Sequence, residues 1–146
     1  MIVDASLVID AVADAGPRGD AARRALADHP AAERLLAPGH FAFEVMSGLW
    51  AAAQRPEHPF EDDDIERALA DAEAYDITIE GTPWSDVHRA WRLAKASLRY
   101  ADAVYVAAAE RHGMALLTSD ARIERSGARL RCEIRTVAPD SNRGAT

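Results

Sequence analysis

Short strand-like segments alternate with helical segments along the whole of this 146-residue chain. The run MALLT at residues 114–118 is apolar almost throughout, as in a parallel strand that is buried on both faces. Other strand-like segments lie at residues 2–4, 34–37, 76–80 and 132–137, with helical spacing of apolar residues between them. This alternation predicts an α/β fold in which helices cover both faces of a parallel sheet.

The segments between the strands carry the start and stop signals of helices. Pro17 and Gly19 indicate a turn, and Pro56 ends a long apolar helix. Ser85 is predicted to cap a helix, and Gly113 is predicted to close another in a left-handed C-cap. The predicted helices are residues 6–12, 20–29, 40–55, 65–75, 85–97 and 100–112, with a short helix after Asp120.

The chain shows no internal repeat and no low-complexity linker, so we expect one domain over residues 1–138 and a polar, loose tail over residues 139–146. No apolar run reaches the roughly 18 residues of a membrane span, and the N-terminus lacks the pattern of a signal peptide. The lone cysteine, Cys132, cannot form an internal disulfide and is predicted to be a small core residue. These features predict a cytoplasmic protein without a membrane partner.

Charge is unevenly distributed along the chain. The net charge of −7 argues at first against a nucleic-acid partner. However, residues 1–83 hold 17 acidic and 6 basic side chains, whereas residues 84–135 hold 10 basic and 6 acidic side chains. The C-terminal half therefore has the composition for a local basic surface. Most of the basic residues are Arg, which can fork onto phosphate, although we attribute this bias mainly to codon usage in an Ala-rich sequence.

Three aspartates follow strands or begin helices. Asp4 follows the first strand, Asp120 follows MALLTS, and Asp102 lies in the first turn of the helix at residues 100–112. Each has a purely structural interpretation as a helix cap or as a partner of the helix dipole. In parallel sheets, however, sites form beyond the carboxyl ends of the strands, where Asp4 and Asp120 are expected.

Glu44 lies in the apolar helix segment HFAFEVMSGLW. A glutamate buried there without a partner would be costly, so it should either pair with a cation or border a cleft. Carboxylates that converge repel one another unless a cation neutralises them. Mg²⁺ and Mn²⁺ prefer oxygen ligands and keep several waters, and such an ion is a common agent of phosphodiester hydrolysis.

Three segments together resemble PIN-domain ribonucleases, and more narrowly the VapC toxins of bacterial toxin–antitoxin pairs: MIVDAS, APGHFAFEVMSGLW and RYADAVYVAAAERHGMALLTSDARI. The resemblance spans Met1 to about Val137. It implies a three-layer α/β/α domain with a central, mainly parallel sheet. It also implies a catalytic quartet that binds Mg²⁺ or Mn²⁺, formed by Asp4, Glu44, Asp102 and Asp120.

The resemblance further implies that Ser6 and Thr118 support the acids. No fifth acidic ligand is assigned, because Ala121 and Arg122 follow Asp120, and this leaves the occupancy of a second metal site open. The implied activity is that of a metal-dependent endoribonuclease acting as a toxin. Its implied substrate is RNA, for example structured tRNA or rRNA, and its implied partners are a cognate antitoxin and a second copy of the chain.

Basic and aromatic residues of the C-terminal half are candidates for RNA contacts. Arg89, Arg92, Lys95 and Arg99 are predicted to share one helix face that tracks phosphates, although a solvated face explains them as well. Arg122 and Arg125 are the candidates nearest the predicted metal. Trp84 and Trp91 are predicted to pack in the core, with base stacking as the alternative. Core or dimer packing is predicted for Met46 and Trp50.

Other functions fit the sequence less well or stay open. A haloacid-dehalogenase type phosphatase needs an aspartate where Ser6 stands, and a phosphoacceptor receiver needs a lysine after a late strand, whereas Lys95 precedes MALLT. Two alternatives stay open: a non-catalytic RNA- or partner-binding module on the same fold, and a housekeeping RNA-processing nuclease.

Overall fold

In a computed structural model, five short strands form one sheet whose order is β3-β2-β1-β4-β5. The structure describes residues 1–57 and 61–139. The strands are β1 (Ile2–Val3), β2 (Leu36–Pro38), β3 (Thr78–Glu80), β4 (Leu116–Thr118) and β5 (Ile134–Thr136). The helices are α1 (Ala5–Ala13), α2 (Pro17–Ala27), α3 (Phe41–Ala53), α4 (Asp62–Glu73), α5 (Trp84–Ala96), α6 (Tyr100–His112) and α7 (Ala121–Glu124).

Every strand pairing in the sheet is parallel. Ile2 of β1 is in register with Leu36 on one side and with Leu116 on the other. The chain builds the sheet outward from β1 in both directions, first to β2 and β3 and later to β4 and β5. The order of the strands therefore reverses beside β1, and ligands of such sheets bind at the carboxyl ends of the strands at this position.

The helices lie in two groups. α1 packs against α2, α3 and α4, whereas α5 packs against α6. Right-handed crossovers place the first group on one face of the sheet and the second group on the other. This arrangement confirms the predicted three-layer α/β/α fold with a parallel sheet.

Helix α6 is the most deeply buried helix. Residues 102–109 of this helix are all buried, and Tyr105 is fully enclosed. The low polarity of these residues explains the burial, because an apolar stretch with no polar stripe must be covered on all sides. Asp102 is therefore carried into the core by the sequence around it.

The structure confirms most of the predicted elements and corrects several boundaries. The predicted strand at residues 34–37 is shifted to Leu36–Pro38. Pro17 does not form a turn but occupies the first position of α2, where its missing N–H costs no hydrogen bond. The prediction that Ser85 caps a helix is wrong, because the N-cap is Pro83. Gly113 ends α6 with φ +62°, as predicted.

The large aromatic residues depart most from prediction. Trp84 is 78% exposed and Trp91 is 60% exposed, so the prediction that they pack in the core is wrong. Trp50 and Met46 are exposed as well, which excludes core packing for them and leaves the alternative of dimer packing as a prediction. The cause is the helix register: Ala90 and Leu93 occupy the inward face of α5 and leave no inward position for an indole.

Two further predictions concern the ends and the surroundings of the chain. The predicted tail at residues 139–146 lies outside the described residues, apart from Pro139. Cys132 is partly buried against the core, close to its predicted role. Among the described residues, no helix combines the length and apolar character needed to cross a membrane.

Candidate active site

Asp4 stands directly after β1 and is only 4% exposed. Its Oδ2 accepts hydrogen bonds from Thr118 Oγ1 at 2.6 Å and from Ser6 Oγ at 2.8 Å. Among the described residues, its Oδ1 receives a single long contact of 3.4 Å from the Ser6 backbone N–H, which makes Asp4 the N-cap of α1. Burial raises the pKa of Asp4, and the hydrogen bonds from Thr118 and Ser6 offset this only in part.

The hydroxyls of Ser6 and Thr118 join the ends of β1 and β4. Their oxygens lie 3.2 Å apart. Thr118 Oγ1 also accepts the backbone N–H of Asp120 at 2.9 Å, and Ser6 Oγ accepts that of Ser119 at 3.2 Å. The two hydroxyls therefore determine where Asp4 stands relative to Asp120, which is the geometry that a supporting role requires.

Glu44 projects from the first turn of α3 toward the same edge of the sheet. Tyr105 Oη of α6 donates a hydrogen bond of 2.6 Å to Glu44 Oε2. Burial and the nearby charges of Asp4 and Glu44 raise the pKa of Tyr105, so the phenol stays protonated and remains a donor. His40 Nε2 lies 3.4 Å from Glu44 Oε2 and is buried without a hydrogen-bond partner among the described residues.

Asp102 and Asp120, unlike Asp4, are ion-paired with arginines. Arg99 forks onto Asp102 at 2.8 and 3.0 Å and reaches Asp120 Oδ2 at 3.2 Å. Arg122 contacts the same Asp120 carboxylate at 2.6 Å and donates its backbone N–H to it, so that Asp120 caps α7. The hydrogen bond from Arg122 is the main reason that the pKa of Asp120 is lowered.

A cavity of about 340 Å³ brings three members of the predicted quartet together. Asp120 is not in its lining and joins the group through Arg99. The polar and aromatic residues of the lining include Asp4, Ser6, Phe43, Glu44, Arg99 and Asp102. The expectation that Glu44 borders a cleft is therefore confirmed.

A larger cavity of about 660 Å³ lies away from these residues. Its lining includes Arg23, Asp64, Arg67 and Asp71, from α2 and α4. Acids and bases alternate there, and Arg67 already pairs with Asp64 at 3.3 Å. We assign the candidate site to the smaller cavity, because it lies at the carboxyl ends of β1 and β4, where the strand order reverses.

The donor atoms of the candidate site suit a hard divalent cation. They are carboxylate oxygens, and the buried Asp4 carboxylate has no cationic side chain in hydrogen-bond contact among the described residues. Within residues 1–57 and 61–139, no three acidic, histidine or cysteine side chains stand together as a ready-made ligand set. Mg²⁺ nevertheless fits, because it commonly takes only one or two protein carboxylates and fills its other positions with water and substrate phosphate.

The four basic residues predicted to share one helix face do not all lie on it or act alike. Arg99 does not share a helix with the others, because α5 ends at Ala96 and Arg99 is the N-cap of α6. Arg89 forks onto Glu110 of α6 at 2.7 and 2.9 Å, so it ties two helices together. Arg92 is exposed and has no ion pair within the described part of the chain.

The predicted site residues do not include Tyr105 or His40, and Arg99 was predicted to contact RNA phosphates rather than the acids. Tyr105 follows Asp102 by three positions and so lies on the same side of α6, a spacing that could have indicated it. His40 precedes Glu44 by four positions on α3, and Arg99 precedes Asp102 by three. Their contacts with the acids depend on helix packing, which the sequence alone does not supply.

The PIN domain family profile matches residues 1–128. Ribonuclease VapC3 of Mycobacterium tuberculosis is 33% identical over 130 residues, which cover 86% of this chain and 86% of that protein. The same ribonuclease from a second strain matches equally.

Two solved structures share the fold. VapC20 of Mycobacterium tuberculosis, described as a toxin that cleaves the sarcin–ricin loop, has a TM-score of 0.63 and 18% identity, covering 87% of this chain and 95% of that one. A toxin–antitoxin complex from Klebsiella pneumoniae has a TM-score of 0.60 and 19% identity, covering 83% and 87%. At these identities the similarity establishes the fold.

Proposed function

The chain belongs to the PIN domain family, and we propose that it is a toxin-type ribonuclease that hydrolyses RNA with Mg²⁺ or Mn²⁺ held by the acids of the candidate site. The observation that supports the proposal best is the meeting of Asp4, Glu44 and Asp102 at one cavity at the carboxyl edge of the sheet, with Asp120 beside it. No nucleophilic side chain is required. A bound divalent ion would lower the pKa of water and neutralise charge on the phosphate.

The residues of the site have distinct proposed tasks. Asp4, Asp102 and Asp120 hold the ion directly or through water. Glu44 binds a second ion or orients the attacking water, and the hydrogen bond from Tyr105 fixes its direction. Asp4 offers Oδ1 to the ion, because its Oδ2 is already engaged by two hydroxyls.

We extend the proposal to the RNA contacts and the protein partners. Arg92, Arg122 and Arg125 are proposed to contact RNA phosphates, whereas Arg89 serves mainly as a link between α5 and α6. A cognate antitoxin is the proposed partner, consistent with the toxin–antitoxin complex that shares this fold. A homodimer is proposed as the state of the free toxin.

Cleavage of total cellular RNA by the purified protein tests this function. The reaction is run with Mg²⁺, with Mn²⁺ and with EDTA, for the wild type, for Asp102→Asn and for the control variant Asp28→Asn, which alters an exposed acid at the end of α2. We expect discrete metal-dependent products from the wild type and from the control, and none from Asp102→Asn.

Two outcomes would change the conclusion. If folded, antitoxin-free protein cleaves nothing with either metal, the chain is better described as an RNA- or partner-binding module. If Asp102→Asn cleaves as well as the wild type, the assignment of the acids is wrong. Growth arrest on expression that Asp4→Asn abolishes would favour a toxin over a housekeeping nuclease.

A further inference from the structure

One side of α5 exposes two tryptophans among cations. Trp84 and Trp91 are seven residues apart, so they lie on the same side of the helix about 10 Å from each other. His88, Arg92 and Lys95 are exposed on the same side, within a third of a turn of the indoles. We call these five residues the α5 face.

The α5 face carries no acid. Asp86 is the only acidic residue of α5; it is 3% exposed, and the Nε–H of Arg111 of α6 donates to both of its carboxylate oxygens, at 2.9 and 3.1 Å. Arg92 and Lys95 have no ion pair among the described residues. In a chain of net charge −7, a surface with two exposed indoles and unpaired cations is complementary to a partner that carries negative charge and aromatic rings.

The contacts between α5 and α6 place one end of this surface near the candidate site. Asp86 and Arg89, in the first half of α5, bind Arg111 and Glu110, near the end of α6. The two helices therefore run antiparallel. The Lys95 end of α5 lies beside the first turn of α6, which carries Asp102.

Two residues continue from the α5 face to the acids. Arg99 follows the end of α5 by three positions and contacts Asp102, and the exposed Tyr100 stands next to it. A strand of nucleic acid lying along α5 would thus reach the cavity at its Lys95 end.

We propose that the α5 face binds a single-stranded segment of the RNA substrate that flanks the scissile phosphate. The indoles of Trp84 and Trp91 each stack on a base, and Arg92 and Lys95 contact the phosphates on the side of Trp91 that leads to the cavity. Stacking on an aromatic side chain requires an unpaired base and tolerates any base identity. This inference rests on the ribonuclease activity proposed above.

Charge favours RNA over a second copy of the chain as the occupant. A two-fold contact of the α5 face with itself would bring Arg92 and Lys95 of one copy toward the same cations of the other. No acid of this face is available to neutralise them, and juxtaposed like charges oppose association. RNA phosphates neutralise the same cations.

Binding of a fluorescein-labelled, 12-nucleotide single-stranded RNA of mixed sequence to the full chain tests the inference. Anisotropy is measured in EDTA, so that binding is read without cleavage. We expect Trp84→Ala and Trp91→Ala to weaken binding by about 5- to 100-fold each. Trp91→Phe should keep most of the affinity, and Trp50→Ala, an exposed tryptophan on α3, should change nothing.

Salt dependence separates stacking from charge. Arg92→Gln should make the slope of log K against log salt less steep by about one. Trp84→Ala should leave that slope unchanged, and Arg55→Gln, an exposed arginine without an ion pair in the described chain, should leave both affinity and slope unchanged. The same 12-mer annealed to its complement should lose little affinity when either indole is removed, because its bases are already stacked.

The failures of the two proposals can be told apart. If the wild type cleaves cellular RNA and binds the 12-mer, but neither tryptophan variant binds it more weakly, only the α5 face is refuted. If those variants instead convert a dimer to a monomer in light scattering with unchanged RNA affinity, the face is an interface between copies. If the wild type neither cleaves nor binds RNA, the proposed function itself is refuted.

Discussion

Removal of the Arg99 side chain should strengthen the binding of a divalent cation to this protein. Arg99 lies between two acids of the quartet, with two contacts to Asp102 and one to Asp120. The guanidinium thus takes the place of a cation. A metal ion that uses these carboxylates must displace it and also overcome its positive charge.

The size of the effect can be worked from these contacts. Exposed ion pairs are worth roughly 0.2–1 kcal/mol each. Arg99 is largely exposed, but the side chains of Asp102 and Asp120 are only 7% and 11% exposed, and the ion pair with Asp102 is a fork. The two pairs together should therefore be worth about 1–2 kcal/mol, or about 5- to 30-fold in the Kd for the ion.

Isothermal titration of Mn²⁺ into RNA-free protein measures this difference directly. Arg99→Gln should lower the Kd for Mn²⁺ by that factor. Arg67→Gln is a matched control, since Arg67 pairs with Asp64 at the same three-residue spacing on α4. The control should bind Mn²⁺ as the wild type does.

An unchanged or raised Kd in Arg99→Gln would refute the reasoning. It would mean that the guanidinium arranges the carboxylates for the ion and does not compete with it. A matching change in Arg67→Gln would show that net charge, and not the position of Arg99, controls the affinity.

Three further substitutions test contacts around the site. Tyr105→Phe removes the 2.6 Å hydrogen bond to Glu44 and should lower the free energy of unfolding by about 1–2 kcal/mol in urea denaturation. Thr118→Val removes a donor from the buried carboxylate that follows β1 and should cost about 1–3 kcal/mol in the same measurement. Glu110→Gln should cost about 2 kcal/mol at pH 7, because Glu110 loses its charge-assisted fork with Arg89. Burial would raise the pKa of Glu110, but the fork and a backbone N–H hold it below its usual range. The difference between wild type and Glu110→Gln should therefore be complete above the unfolded pKa and vanish as the pH falls through the lower folded value.

For each substitution, the contrary result would identify which part of the argument is wrong. An equally stable Tyr105→Phe would mean that water replaces the phenol at Glu44. An equally stable Thr118→Val would mean that Ser6 alone satisfies the buried carboxylate. A Glu110→Gln difference that persists well below the ordinary pKa of a glutamate would show that shape, and not charge, joins α5 to α6.

The elements whose bounds the sequence predicts correctly are those with the strongest local signals. The helix over residues 100–112 was predicted with its exact bounds, because an apolar stretch ends at a glycine that can adopt a positive φ. Boundaries without such a signal shift by two or three residues, as at Pro17 and at the strand that begins at Leu36. Tertiary contacts decide those boundaries, because short strands exist only where a neighbour pairs with them.

The alternation of strands and helices follows from the residue pattern alone, and so do the parallel sheet and the positions of Asp4 and Asp120 after two of its strands. Local pattern suffices for these, since hydrophobic period and chain direction place a residue at one edge of a sheet. Helix packing decides which side chains meet, as in the fork of Arg99 onto Asp102 and the Tyr105 hydrogen bond to Glu44, and it leaves the α5 indoles exposed. These features depend on how each helix is rotated against its neighbours, and that rotation is set by contacts throughout the core and not by the local sequence.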